Sequence, residues 1–208
     1  MITLYWCPMT RSARAFWMLE EVAQPYRLEL VDIRRDPRAD PPGYRDIHPL
    51  GKVPAIADGD AKVADSAAIA LYLADRYAPG DLAPRADDPD RGEFLTWLFY
   101  SPSAIEPAMS ERASGSSPVP TSNAWGSWDA MLAALERRLD GRDWIAGDRF
   151  TMADLMVGGS IDFMASFGML DPSPRLQAYR ERCVARPQHA RAAEKEQAAT
   201  ADADFTAP

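Results

Sequence analysis

Ile2-Thr3-Leu4-Tyr5-Trp6-Cys7-Pro8-Met9-Thr10-Arg11-Ser12-Ala13-Arg14 carries the reading of the whole chain. Ile2 to Trp6 predicts a short strand, and Cys7-Pro8-Met9-Thr10 breaks it. Helical pattern then runs from Arg11 or Ser12 to Ala23, with Ala13, Phe16, Trp17 and Leu19 as its apolar surface, until Pro25 stops it. Tyr26 to Ile33 reads as a second strand, with Tyr26, Leu28 and Leu30 on one face and Val31 and Ile33 on the other.

Moving outward, residues 34–49 are rich in Arg, Asp and Pro and predict a loop with a short helix. Gly51-Lys52-Val53-Pro54-Ala55-Ile56-Ala57-Asp58 predicts a strand with Pro54 at its start, where a missing N–H is tolerated. Asp58-Gly59 signals a hairpin turn and Lys62-Val63-Ala64 the returning strand. Ser66 to Tyr77 is helical, and Pro79-Gly80 ends it. The order over residues 1–78 is β-α-β-α-β-β-α, a mixed sheet covered by helices.

Residues 79–90 read as an exposed linker, and residues 91–208 as an all-α domain. Phe94, Leu98, Ser101, Ile105 and Met109 sit at helical spacing, and Pro102 and Pro107 are expected to bend or divide that helix. Residues 113–122 predict a loop. Trp125, Trp128, Leu132, Leu135 and Leu139 form an amphipathic stripe, with the two tryptophans in the core. Further helices are expected over 152–167 and 175–186, and the last dozen residues, 197–208, are small and polar and read as a loose tail. At Phe150-Thr151-Met152-Ala153-Asp154-Leu155, Thr151 is placed to cap a helix, Asp154 to reach back to the Thr151 N–H, and Phe150 to staple onto Leu155.

The formal net charge of -8 argues against a nucleic acid or an anionic membrane as partner. The apolar run at 67–74 is too short to span a bilayer. Cys7 and Cys183 make no disulfide framework, and with two histidines a metal site is not expected. The N-terminus lacks a signal-peptide pattern, so a reducing, cytoplasmic location is expected.

The series Leu4 to Arg14, then His48-Pro49-Leu50-Gly51-Lys52-Val53-Pro54, then Asp65-Ser66, then Phe150-Thr151-Met152-Ala153-Asp154 resembles the glutathione transferase superfamily, in order and spacing, over essentially the whole chain. The resemblance implies a thioredoxin-like N-terminal domain that binds glutathione and an all-α C-terminal domain that lines a hydrophobic co-substrate site. It implies a cis peptide at Pro54, Val53 pairing with the glutathione backbone, and Asp65 and Ser66 holding the γ-glutamyl end, with Lys52 nearby; Arg11 either adds positive potential near the sulfur or lies on the surface. A helix beginning at Ser66 independently favours a carboxylate at its N-terminus; the plainer reading of Asp65-Ser66 is an ordinary cap. Two positions depart from the family: His48 stands where Asn is usual, and Asp65 where Glu or Gln is usual. A homodimer, a role in detoxification and a small hydrophobic electrophile as second substrate are also implied.

Glutathione reacts as its thiolate, and a free thiol titrates near about 8.5. A hydrogen bond to the sulfur and a helix N-terminus both favour the anion. The loop before the first helix offers Cys7, Thr10 and Ser12. Cys7 resembles the nucleophile of omega-class enzymes and glutaredoxins, or is a small buried residue at a strand end. Thr10 falls where theta-class enzymes carry a catalytic Ser, and is the donor we favour for conjugation. Ser12 reads as a cap. The beta-class cysteine would fall on Arg11, which excludes that chemistry. Met9, Trp97, Tyr100 and Met109 are candidate lining residues of a co-substrate site between the domains, or helix-packing core. Three functions are open at this point: conjugation, thiol transfer through Cys7, and non-catalytic glutathione or ligand binding.

Overall fold

In the computed structural model, residues 1–35, 40–117 and 119–207 are described. Two compact units form, Met1–Pro79 with Arg186–Pro208, and Gly80–Ala185.

The first unit is built on a four-stranded sheet, ordered β2-β1-β3-β4. Its strands are β1 (Ile2–Trp6), β2 (Tyr26–Leu30), β3 (Ala55–Asp58) and β4 (Ala61–Ala64). β2 runs parallel to β1, with Trp6 opposite Leu30. β3 is antiparallel to β1, with Tyr5 opposite Ala55, and β4 antiparallel to β3, with Ala64 opposite Ala55. β2 stops at Leu30, short of the expected Ile33. It is an edge strand paired only with β1, and its Leu28 is exposed.

Helices α1 (Ser12–Glu21) and α2 (Ser66–Tyr77) complete the α/β fold, with a single 3-10 turn at Tyr44–Asp46 in the intervening loop. Nearly the whole of α1 is buried, from Arg14 to Glu20 as well as Ser12. A helix buried on most sides needs cover on more than one face, and the second cover is a helix at the far end of the sequence. It is Pro187–Ala201, which packs on α1 and runs into the first residues of the tail expected to be loose. Lys195 Nζ lies 2.5 Å and Arg191 Nε 3.5 Å from the Glu20 carboxylate. Beyond it, Thr206 donates both its N–H and its hydroxyl to Asp32, at 2.9 Å each.

The second unit is helical. In chain order α3 (Arg91–Tyr100), α4 (Glu106–Ser114), α5 (Trp128–Arg138), α6 (Met152–Ser166) and α7 (Pro174–Val184) precede the terminal helix, α8. Between α3 and α4 the chain makes a wide π turn, Ser101–Ile105, closed by the Glu106 N–H on the Ser101 carbonyl. Pro102 has no N–H to give the preceding turn, so the register opens there and the predicted break becomes a bulge. Ser101 Oγ and Ser160 Oγ meet across it at 2.7 Å, both buried. On α5 the buried positions are Met131 and Leu135, continued by Leu139; Trp125 lies ahead of the Ser127 cap, and Trp128 is half-buried under the Arg112 guanidinium. The core stripe is therefore shifted from the predicted one, and neither tryptophan is core.

The cap of α6 closes as expected. The Asp154 carboxylate accepts the Thr151 N–H at 2.9 Å, and the Thr151 hydroxyl accepts from the first turn, at Ala153. Asp154 also accepts from Ile145 N–H at 2.7 Å and Tyr179 O–H at 2.9 Å, so one carboxylate ties α6, α7 and the loop before them.

Candidate functional site

The strand register decides where the candidate residues meet. β1 leaves the sheet at Trp6, β3 enters it opposite Tyr5, and β4 leaves it opposite Ala55. Cys7, Val53-Pro54 and Asp65 therefore gather at one end of the sheet, and α1 and α2 both begin there. β2 ends at the same place, beside Trp6, and its continuation brings Arg34 to the loop.

Between Trp6 and α1 the chain turns through Met9, whose φ is 56°. The Thr10 hydroxyl donates to the Cys7 carbonyl at 2.7 Å, accepts the Ser12 N–H at 3.1 Å and lies 3.0 Å from Ser12 Oγ. Ser12 Oγ accepts the Cys7 N–H at 3.3 Å. These hydroxyls close the turn on itself. Thr10 has one proton, and it can serve a sulfur only by leaving the Cys7 carbonyl or Ser12. Arg11 is exposed at the N-cap position of α1.

Cys7 is fully buried, in an apolar cluster with Val31, Tyr44, Val53 and Ala55. Arg34, in the stretch that the sequence predicts as loop, is bound to this turn. Its Nη1 lies 3.4 Å from Cys7 Sγ and donates to the Pro8 carbonyl at 3.0 Å, while Nη2 donates to the Met9 carbonyl at 2.9 Å. No periodicity marks Arg34; the parallel β1–β2 pairing alone brings it there.

The Val53-Pro54 peptide is cis. Tyr44, also unmarked in the sequence, holds the segment ahead of it: its ring is buried 5.0 Å from that of Tyr5 and its hydroxyl donates to the Lys52 carbonyl. The Lys52 side chain is exposed. Gly51 turns with φ 60°, and a Cβ there would fall 2.5 Å from the Arg45 guanidinium carbon.

Asp65 adopts φ 77° and ψ 136°, and Oδ1 accepts the Ala67 N–H at 3.0 Å. A residue other than Gly in such a region costs about 1–3 kcal/mol, and such outliers cluster at ligand sites. One oxygen caps α2 while the backbone is strained to place the residue at the sheet end, so cap and ligand roles coexist. Ser66 beside it is buried.

Of the co-substrate candidates, Met9 is exposed at the turn. In the helical unit Trp97 packs on Tyr100, ring centroids 4.9 Å apart, with the Arg138 guanidinium 5.5 Å from the Trp97 ring. The Tyr100 hydroxyl donates to the Met131 carbonyl at 3.1 Å, and burial pushes its pKa up. Met109 is half-buried on α4.

Residues 6–76 match the glutathione S-transferase N-terminal domain and residues 104–182 the C-terminal domain of the same family. The chain belongs to the glutathione transferase superfamily. Glutathione S-transferase 3 of Schizosaccharomyces pombe is 36% identical over 107 residues, 51% of this chain and 43% of that protein, so the match spans under half of this relative. A glutathione transferase structure from Methylococcus capsulatus is 28% identical with a TM-score of 0.78, over 95% of this chain and all of that one. A sphingomonad glutathione S-transferase solved with glutathione is 27% identical with a TM-score of 0.74, over 94% of this chain and 98% of that one. The transferase fold read from the sequence, a thioredoxin-like α/β domain and a helical domain, is the fold observed. Among the described residues no group of three or more His, Cys, Asp or Glu is placed to hold a metal, and no helix is long and apolar enough to cross a membrane.

Proposed function

We propose that this transferase binds glutathione at the sheet end of its first unit and conjugates the thiolate to small hydrophobic electrophiles. The observation that carries the reading is the strained Asp65, held at the N-terminus of α2 on the same sheet end as cis Val53-Pro54 and the Cys7–Ser12 turn. Free N–H groups at a helix start and an adjacent carboxylate complement the two charges of a γ-glutamyl group. In the reaction the thiol proton leaves to solvent, a carbon–sulfur bond forms and the bond to the leaving group breaks. Lys52, Val53, Pro54, Asp65, Ser66 and Arg11 are the proposed glutathione contacts, and Met9, Trp97, Tyr100 and Met109 the co-substrate contacts. A cytoplasmic homodimer with a role in detoxification belongs to the same proposal.

The burial of Cys7 favours conjugation over thiol transfer. The test measures glutathione binding by calorimetry and conjugate formation with chlorodinitrobenzene in wild type, Asp65→Ala, Thr10→Ala and Cys7→Ser. Loss of binding in Asp65→Ala with turnover preserved in Cys7→Ser is expected. A glutathione adduct on wild type that disappears in Cys7→Ser, with disulfide-exchange turnover, would replace conjugation with thiol transfer. Binding without turnover in every variant would leave a ligand-binding protein.

A further inference from the structure

We propose that Arg34 is a positioning residue for thiolate formation, acting through the Met9–Thr10 peptide; this rests on the transferase reading above. The guanidinium forks onto two successive carbonyls, Pro8 at 3.0 Å and Met9 at 2.9 Å. A trans peptide is planar, so its C=O and N–H point in opposite directions. With the Met9 carbonyl drawn onto Arg34, the Thr10 N–H is turned away from it, at the head of α1. A cation on the carbonyl also polarises the peptide and strengthens that N–H as a donor. The Thr10 N–H, not the hydroxyl engaged with the Cys7 carbonyl, is then the group that meets the glutathione sulfur.

Arg34 is itself held for this task. Its backbone N–H donates to Asp32 Oδ1 at 3.1 Å, and Asp32 Oδ2 takes the Thr206 N–H and hydroxyl at 2.9 Å each. Asp32 is buried, so this anchor is sheltered from solvent. A planar fork that reaches two carbonyls and the edge of Cys7 Sγ is specific to Arg; a Lys ammonium keeps the charge but not the geometry.

The experiment compares wild type with Arg34→Met and Arg34→Lys. It reads amide exchange at Thr10 in the free protein, thiolate absorbance of bound glutathione against pH, and kcat and KM with glutathione and chlorodinitrobenzene. In Arg34→Met we expect slower Thr10 exchange, because the amide loses its polarising cation, a thiolate midpoint raised by about one pH unit and kcat lowered about ten-fold or more, with KM for glutathione little changed. Arg34→Lys is expected to restore less than half of the loss, and serves as the folded comparison if Arg34→Met is unstable. Unchanged Thr10 exchange overturns the proposal whatever turnover does. Faster exchange, or slower exchange with an unmoved thiolate midpoint, reduces Arg34 to a structural clamp and also overturns it. If wild type binds glutathione without turnover, the transferase reading fails while exchange and the thiolate titration still decide Arg34. If wild type binds no glutathione, both fall.

Discussion

Glu21 receives both prongs of Arg186, Nε on Oε1 and Nη2 on Oε2, each at 2.7 Å. The Trp17 indole N–H donates to the same carboxylate at 2.9 Å, and the Glu21 side chain is 1% exposed. This fork joins the end of α1 to the residue that precedes α8. Arg186→Ala would leave a buried carboxylate without its cation, so a loss of about 2–3 kcal/mol in unfolding free energy is expected from urea titration. Arg186→Lys should recover part of it, since the charge returns without the second hydrogen bond.

Gly158 lies under Cys183 where α6 meets α7. A Cβ built on Gly158 would sit 2.6 Å from Cys183 Sγ and 2.8 Å from its Cβ. Gly158→Ala is expected to destabilise by about 1–3 kcal/mol through overpacking, despite the better helix propensity of Ala. Adding Cys183→Ala should relieve only part of the loss, because the closer neighbour is gone but the Cβ contact remains. A denaturation midpoint for Gly158→Ala equal to wild type would show that α6 and α7 can part at no cost.

Burial raises the Asp154 carboxyl to about 6, against hydrogen bonds from Ile145, Thr151 and Tyr179 that favour the anion. A carboxyl raised in the folded state binds more protons there than when unfolded between about pH 4 and 6. Its contribution to stability is therefore fully present below the ordinary carboxylate value and is lost as pH rises to about 6, on the order of 2–3 kcal/mol in all. Carbon-detected NMR titration of the folded protein should find the Asp154 midpoint near that value. A midpoint near 4, the ordinary range, would mean that the hydrogen bonds outweigh burial.

Cys7 and Cys183 are both fully buried. Native protein is expected to react with an aromatic disulfide reagent far more slowly than protein in denaturant, where both thiols should be counted. Fast reaction of one thiol in native protein, lost in Cys7→Ser, would show that the turn opens to expose Cys7.

The limits of β1 and α2 were legible because turn residues or a local change of periodicity bracket them, and the meeting of Cys7, Pro54 and Asp65 followed from the motifs. The π turn was legible only as a fault at Pro102; the wider hydrogen-bond register depends on packing around Ser101 and Ser160. α8 was illegible because its sequence is mostly small and polar and buries little beyond Ala192, leaving no apolar stripe to count; Pro187 at its first turn was the one start signal. Thr10 was placed in the right turn by spacing, but the partner of its proton is set by backbone geometry at Met9, which spacing does not encode. Arg34 and Tyr44 act on the site across β pairing and loop closure, so neither could be told from its neighbours in the chain.

The return of α8 to α1 makes the first unit discontinuous along the chain. A ribosome that has made the whole sheet has not yet made the helix that covers α1, and must translate all of Gly80–Ala185 before it does. The helical unit has every residue it needs first, so it is free to fold while its neighbour waits with α1 bare. A chain truncated after Ala185 should then hold a finished helical unit and an unfinished α/β unit, and that interval is when the latter is open to chaperones or to misassociation.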